Sequence, residues 1–196
     1  MKTSSFRKFK AVVIGVSTGG VAALKFLLGE LPADFRIPIL VVTHIMPESD
    51  DALAVLLNTL CAIKVKEADE QELMAPGVVY LAPANYHLLV ERGGFLALSI
   101  DPPVNFARPS VDVLFESAAE VYGQELIGII LTGAGFDGSG GLLKIKQCGG
   151  IAIVQDPADA EMDSMPLSAL RLTKPDHVVQ LNDIPGLLIR LVQGKQ

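Results

Sequence analysis

Residues 11–20 read AVVIGVSTGG. The first six are apolar, mostly β-branched and uninterrupted, as in a strand buried on both faces, and the glycine-rich turn behind them stops the strand. GVAALKFLLGEL follows, with apolar residues at helical spacing, so the chain opens on a strand, a tight turn and a helix. The pattern repeats as IPILVVT before DDALAVLLNTL and as LIGIILTG before GLLKIKQCGG, and IAIVQD adds a further strand. Strands of this kind, each followed by a helix, predict an α/β domain on a doubly wound, mostly parallel sheet.

Near the end, MPLSALRLT, HVVQL and IPGLLIRLVQ read as helix, strand and helix, with Pro166 and Pro185 close to the helix starts. The middle differs. GVVYLAP and HLLVERGGFLALSI are strand-like, and the second is split at Glu91, Arg92, Gly93 and Gly94, which predicts an inserted β-hairpin. DPPVNFARPS, residues 101–110, reads as a loosely ordered loop. Half of the 196 residues are apolar, enough for one sizeable core, so we expect an N-terminal tail over 1–9 and one domain over 10–196.

A formal charge of -6 argues against nucleic-acid binding, because phosphate neutralisation needs clustered Lys and Arg. Lys2, Arg7, Lys8 and Lys10 form the one basic cluster and read as a solvated tail. No stretch approaches the roughly 18 to 20 apolar residues of a membrane span, so no membrane insertion is expected. Cys61 and Cys148 lack a CxxC spacing or a nearby His and read as reduced structural thiols in a cytoplasmic protein, with no metal site.

In a doubly wound sheet the chemistry gathers where strands end and helices begin. The first strand delivers Ser17, the second His44, and LIGIILTG runs through AGFDG to Asp137. A hydroxyl, an imidazole and a carboxylate are the parts of a nucleophilic hydrolase. The glycines around Ser17 suit a nucleophile on a sharp turn, and the backbone N–H groups of Thr18 and of Ala134 or Gly135 are candidate oxyanion donors. Two other readings of the turn stand beside this one. GVSTGG has the spacing of a degraded dinucleotide fingerprint, although the second strand ends in His44 rather than in an acid that would hold a ribose. Ser17 is also suited to capping the next helix. His44 has the reading of a core histidine. His87 is a rival base, His177 a surface residue, and Asp112 and Asp156 are rival acids.

Taken together, VVIGVSTGGVAAL, LVVTHIMP, VVYLAPANYHLLV, RPSVDVLFESAA, IGIILTGAGFDGSGGLLKIKQCGG and AIVQD resemble, in order, the catalytic domain of CheB-type chemotaxis protein-glutamate methylesterases. The resemblance implies hydrolysis of glutamyl γ-methyl esters on the cytoplasmic domain of methyl-accepting chemotaxis receptors, releasing methanol, and deamidation of receptor glutamines. It implies Ser17 as nucleophile, His44 as base and Asp137 as the third member, with no metal or organic cofactor. The chain departs from the family pattern at Ala134, where methionine is usual, and at Ser164, where glycine is usual. Members usually carry a receiver domain ahead of the catalytic one. With ten residues before the first strand, the resemblance implies a solitary domain or separation from a receiver, and a separate receiver domain or regulator as partner. A non-catalytic receptor- or partner-binding module and a Rossmann-like nucleotide binder are the alternatives.

Overall fold

The computed structural model describes residues 8–44, 46 and 49–194. Most of the expected tail, including Lys2 and Arg7, and Ile45 and Pro47 of THIMP lie outside the described residues. The strands are β1 (Ala11–Val16), β2 (Ile39–Thr43), β3 (Lys64–Glu67), β4 (Val78–Leu81), β5 (His87–Val90), β6 (Leu96–Ser99), β7 (Leu126–Ile130), β8 (Ile151–Gln155) and β9 (His177–Val179). The helices are α1 (Gly20–Gly29), α2 (Ala52–Leu60), α3 (Val111–Tyr122), α4 (Ser139–Gln147), α5 (Ser164–Leu172) and α6 (Ile184–Gln193).

Seven strands make one sheet in the order β3-β4-β2-β1-β7-β8-β9, and every pairing in it is parallel. The short, charged strand β3 has no apolar run and was not legible in the sequence. β5 and β6 form the expected hairpin, a separate antiparallel pair.

β1, β2 and β7 are buried along their whole length, because helices cover both faces of the sheet. Val12, Ile14 and Val16 face one core with residues of α1, α2 and α6. Ala11 and Val13 face the other, with α3, α4, α5 and the hairpin. Side chains alternate along a strand, so the residues after Val16 and Thr43, namely Ser17 and His44, turn toward the α3 side. β1 is where the topology reverses. The chain winds outward to β2 on one flank and returns to β7 on the other, which leaves a crevice at the carboxyl end of β1.

Gly15 lets that crevice close around its contents. A Cβ there would overlap the Val111 side chain, so only glycine allows the first turn of α3 to lie directly on β1. Cys61 and Cys148 are free thiols. No helix of the described residues is long and apolar enough to cross a membrane.

Candidate active site

The β1–β2 register ends on the pair Val16↔Thr43, so Ser17 and His44 leave neighbouring strands at the same level. Adjacent strands lie about 4.8 Å apart, which puts the two side chains within reach of one another. On the other flank, the Ser17 N–H donates to Thr132 O at 3.0 Å, and the chain beyond Thr132 turns back to present Asp137. His44 Nε2 and Asp137 Oδ2 are 2.8 Å apart. No hydrogen bond joins Ser17 Oγ to His44 among the described residues.

Asp137 is buried, with a side chain only 4% exposed. Taking a carboxylate out of water costs several kcal/mol unless donors replace the water. Its Oδ1 accepts from Asn105 Nδ2 at 2.8 Å, Ser110 Oγ at 2.8 Å and the Asp112 N–H at 3.2 Å. Its Oδ2 accepts from the Val111 N–H at 2.6 Å as well as from His44. Two of these donors are first-turn amides of α3, so Asp137 is the anion at that helix's positive end. Ser110, the N-cap residue of α3, makes no cap bond of its own. Its hydroxyl goes to Asp137, which performs the capping from across the fold.

Burial pushes the Asp137 carboxyl upward, but the hydrogen bonds from His44, Asn105, Val111 and Ser110 prevail and hold it below its ordinary 3.8. It is therefore ionised at neutral pH and only accepts. His44 Nε2 must then carry the proton, which leaves Nδ1 as the acceptor nitrogen.

Asp112, a rival acid in the sequence, reciprocates the capping. Its Oδ1 accepts from the Gly141 N–H of α4 at 2.6 Å, and its Oδ2 accepts from Asn105 Nδ2 at 2.6 Å. One Asn105 amide thus bridges both carboxylates. Burial, with the charge of Asp137 adding to it, raises the Asp112 carboxyl above 3.8, and the Gly141 N–H pulls the other way. Asp156 accepts from the Ala158 N–H in a turn and takes no part.

The two carboxylates oppose each other in acid. Asp112, raised, takes up its proton first in the folded state, so folding stability gains as pH falls from above its folded value toward 3.8. Asp137, lowered, contributes stability that is present above 3.8 and lost as pH falls through its folded value. Urea unfolding between pH 3 and 6 should show Asp112→Asn removing the first effect and leaving the second. An unchanged profile in that variant would contradict the assignment.

His87, the rival base, is buried and committed elsewhere. Its Nε2 lies 3.2 Å from Pro102 O, and its Nδ1 accepts from the Ser110 N–H at 3.2 Å. It therefore joins the two ends of the 102–110 segment. Arg108 adds bonds to Ile100 O, Asp101 O and Asn85 Oδ1 at 2.7–3.1 Å. The expectation of a loosely ordered loop is corrected: its polar residues are spent on specific bonds, and Asn105 and Ser110 are site residues that composition alone did not mark. His177 is half-buried, at the start of β9.

The N-cap reading of Ser17 is also corrected, since Gly19 occupies that position with φ 78° and no side-chain cap bond is made. The Ser17 carbonyl instead accepts from the Gly20 N–H at 2.8 Å. A trans peptide points its N–H opposite to its C=O, so the Thr18 N–H is turned away from the helix. The same holds at Ala134, because Gly133 O accepts from the Met165 N–H at 2.9 Å. Neither amide is hydrogen-bonded among the described residues. Ala134 lines a cleft of ≈ 400 Å³ with His44, Phe106, Phe136 and Asp137.

Gly133 decides whether this turn can form. A Cβ there would overlap Met165 Sδ and lie 2.9 Å from Ser17 Cβ. Met165 follows Ser164 at the start of α5, so the second departure from the family pattern adjoins this contact. Gly133→Ala should cost about 1–3 kcal/mol of stability by overpacking and displace Ser17, with activity falling further than the folded fraction. Thermal unfolding and turnover measured on the same sample check both.

Among the described residues no group of three or more His, Cys, Asp or Glu is placed to hold a metal ion. The CheB methylesterase family model matches residues 12–188. A Leptospira interrogans (serovar copenhageni) protein is 53% identical over 95% of this chain and 96% of its own length, and is named provisionally as a protein-glutamate methylesterase/protein-glutamine glutaminase. The protein-glutamate methylesterase/protein-glutamine glutaminase 2 of Syntrophus aciditrophicus is 41% identical over 93% of this chain and 54% of its own length. The crystal structure of the Thermotoga maritima CheB methylesterase catalytic domain superposes with a TM-score of 0.90 at 38% identity, covering 94% of this chain and all of that one. With its parallel sheet, its switch-point crevice and a matching sequence from β1 to α6, this chain belongs to the CheB methylesterase family.

Proposed function

We propose that residues 10–196 form a catalytic domain that hydrolyses glutamyl γ-methyl esters on the cytoplasmic domain of chemotaxis receptors, with Ser17 as nucleophile. The observation that carries the reading is the bond from His44 Nε2 to an ionised, buried Asp137, made at the end of a strand in register with the one that delivers Ser17. Ser17 Oγ attacks the ester carbonyl carbon as His44 Nδ1 takes its proton. The Thr18 and Ala134 amides bind the oxyanion that forms. When the intermediate collapses, methanol leaves with the proton from His44. Water then attacks the acyl-enzyme, again with His44 as base, and frees the glutamate.

A glutamine side chain fits the same sequence with ammonia as leaving group, which accounts for the paired activities in the relatives' names. A receptor substrate of this kind places the enzyme in the cytoplasm, and a separate receiver domain or other regulator is a natural partner. The test is methanol release from a receptor cytoplasmic fragment carrying labelled methyl esters. Release no faster than the blank, with the folded protein binding the fragment, would favour a non-catalytic module.

A further inference from the structure

The turn Val104–Ala107 is a two-residue hairpin loop, with amide and carbonyl paired in both directions at 3.1 and 2.9 Å. Its central residues, Asn105 and Phe106, both have left-handed backbones, with φ 52° and 64°. Asn followed by Gly is the preferred pair for such a loop. Phenylalanine at the second position is strained, and strain of this kind persists only where the surroundings enforce it. Burial does not explain the ring either, since Phe106 is 97% exposed. Phe136 is 52% exposed, sits between Gly135 and Asp137, and lines the same cleft as Phe106.

Both rings stand on fixed bases. Phe106 follows Asn105, whose amide is held by the two carboxylates, and Phe136 precedes Asp137 itself. We propose that Phe106 and Phe136 are apolar jaws that grip the substrate polypeptide on either side of the esterified glutamate, making them specificity-determining residues of this site. The inference rests on the methylesterase reading.

The cleft's size and its two exposed rings identify the occupant. A glutamyl methyl ester side chain has six non-hydrogen atoms, and at about 30 Å³ each, a liquid water's share, these fill roughly 180 Å³. That is less than half of ≈ 400 Å³, so flanking residues of a polypeptide have room to enter. Asp137 and Arg108 both line the cleft, so its charge selects neither sign of flank, whereas an apolar flank fits the rings.

The experiment compares a methylated receptor cytoplasmic fragment with a capped tripeptide containing glutamate γ-methyl ester, using wild type, Phe106→Asn and Phe136→Ser. Asn tolerates a left-handed backbone, so Phe106→Asn removes the ring and keeps the turn. Loss of one ring that bound receptor covers should lower the receptor-to-tripeptide ratio of kcat/KM about tenfold or more, with the loss carried by KM on the receptor. Phe106→Asn should also raise Tm, because it relieves strain. An unchanged ratio with active wild type would overturn the proposal alone. So would a fall in self-association in both variants without a change in KM, which would make the rings a contact between copies. No methanol release by wild type from either substrate would overturn the methylesterase reading and the jaws with it.

Discussion

Ser17→Ala should lower methanol release by about 10⁴-fold or more, with no measurable loss of folding stability. Removal of the nucleophile from a well-studied serine protease costs on the order of 10⁶ in kcat, and the residue left behind here keeps its backbone role. The Ser17 N–H donates to Thr132 O and the Ser17 carbonyl accepts from the Gly20 N–H, bonds that alanine makes equally well. The hydroxyl neither caps α1 nor bonds to His44, so its loss strands no partner. A change of Tm beyond about 2 °C would exceed what a silent hydroxyl allows in a domain of this size. Activity is to be compared at equal folded concentration. Turnover within tenfold of wild type would remove Ser17 from the reaction and favour the dinucleotide-fingerprint reading of the turn, which predicts saturable nucleotide binding by calorimetry.

The sequence makes some parts of this site legible and hides others for a physical reason. Ser17, His44 and Asp137 can be found because each follows a long apolar run, and a run buried on both faces announces a strand end, beyond which the chain delivers a polar residue to the site. Asn105 and Ser110 follow no such run. They belong to a loop whose order comes from side-chain bonds that reach out of it to Asn85, His87 and Asp137, residues distant in sequence. Strand β3 was missed for the same reason: KVKE has no apolar periodicity, and its place at the sheet edge is set by pairing with β4. Asp112 shows the limit of a local rule. An acid in a helix's first turn ordinarily complements that helix's own dipole, whereas the Asp112 carboxylate serves the first turn of α4 and Asp137 serves α3.

That exchange of caps governs the second large effect. Asp137→Asn should reduce kcat by roughly 10⁴, the loss seen when a triad aspartate is made an amide, together with a smaller loss of stability. Three donors converge on Oδ1, from Asn105, Ser110 and Asp112. An asparagine therefore keeps its carbonyl oxygen there and turns its NH₂ toward His44 and the Val111 N–H. The NH₂ then donates to His44 Nε2, which moves the ring proton to Nδ1 and removes the acceptor that Ser17 needs. The Val111 amide loses its partner in a buried place, at about 1–3 kcal/mol. The α3 terminus also loses its anion, worth a further ~0.3–1 kcal/mol. Because the first effect acts on the reaction and the others on folding, they separate. Turnover per folded molecule reports the tautomer, and urea unfolding reports the cap. Full turnover in a folded Asp137→Asn protein would show that His44 acts without being oriented by Asp137. Full stability with lost turnover would mean the Val111 N–H finds another acceptor, and that Asp137 matters to the chemistry alone.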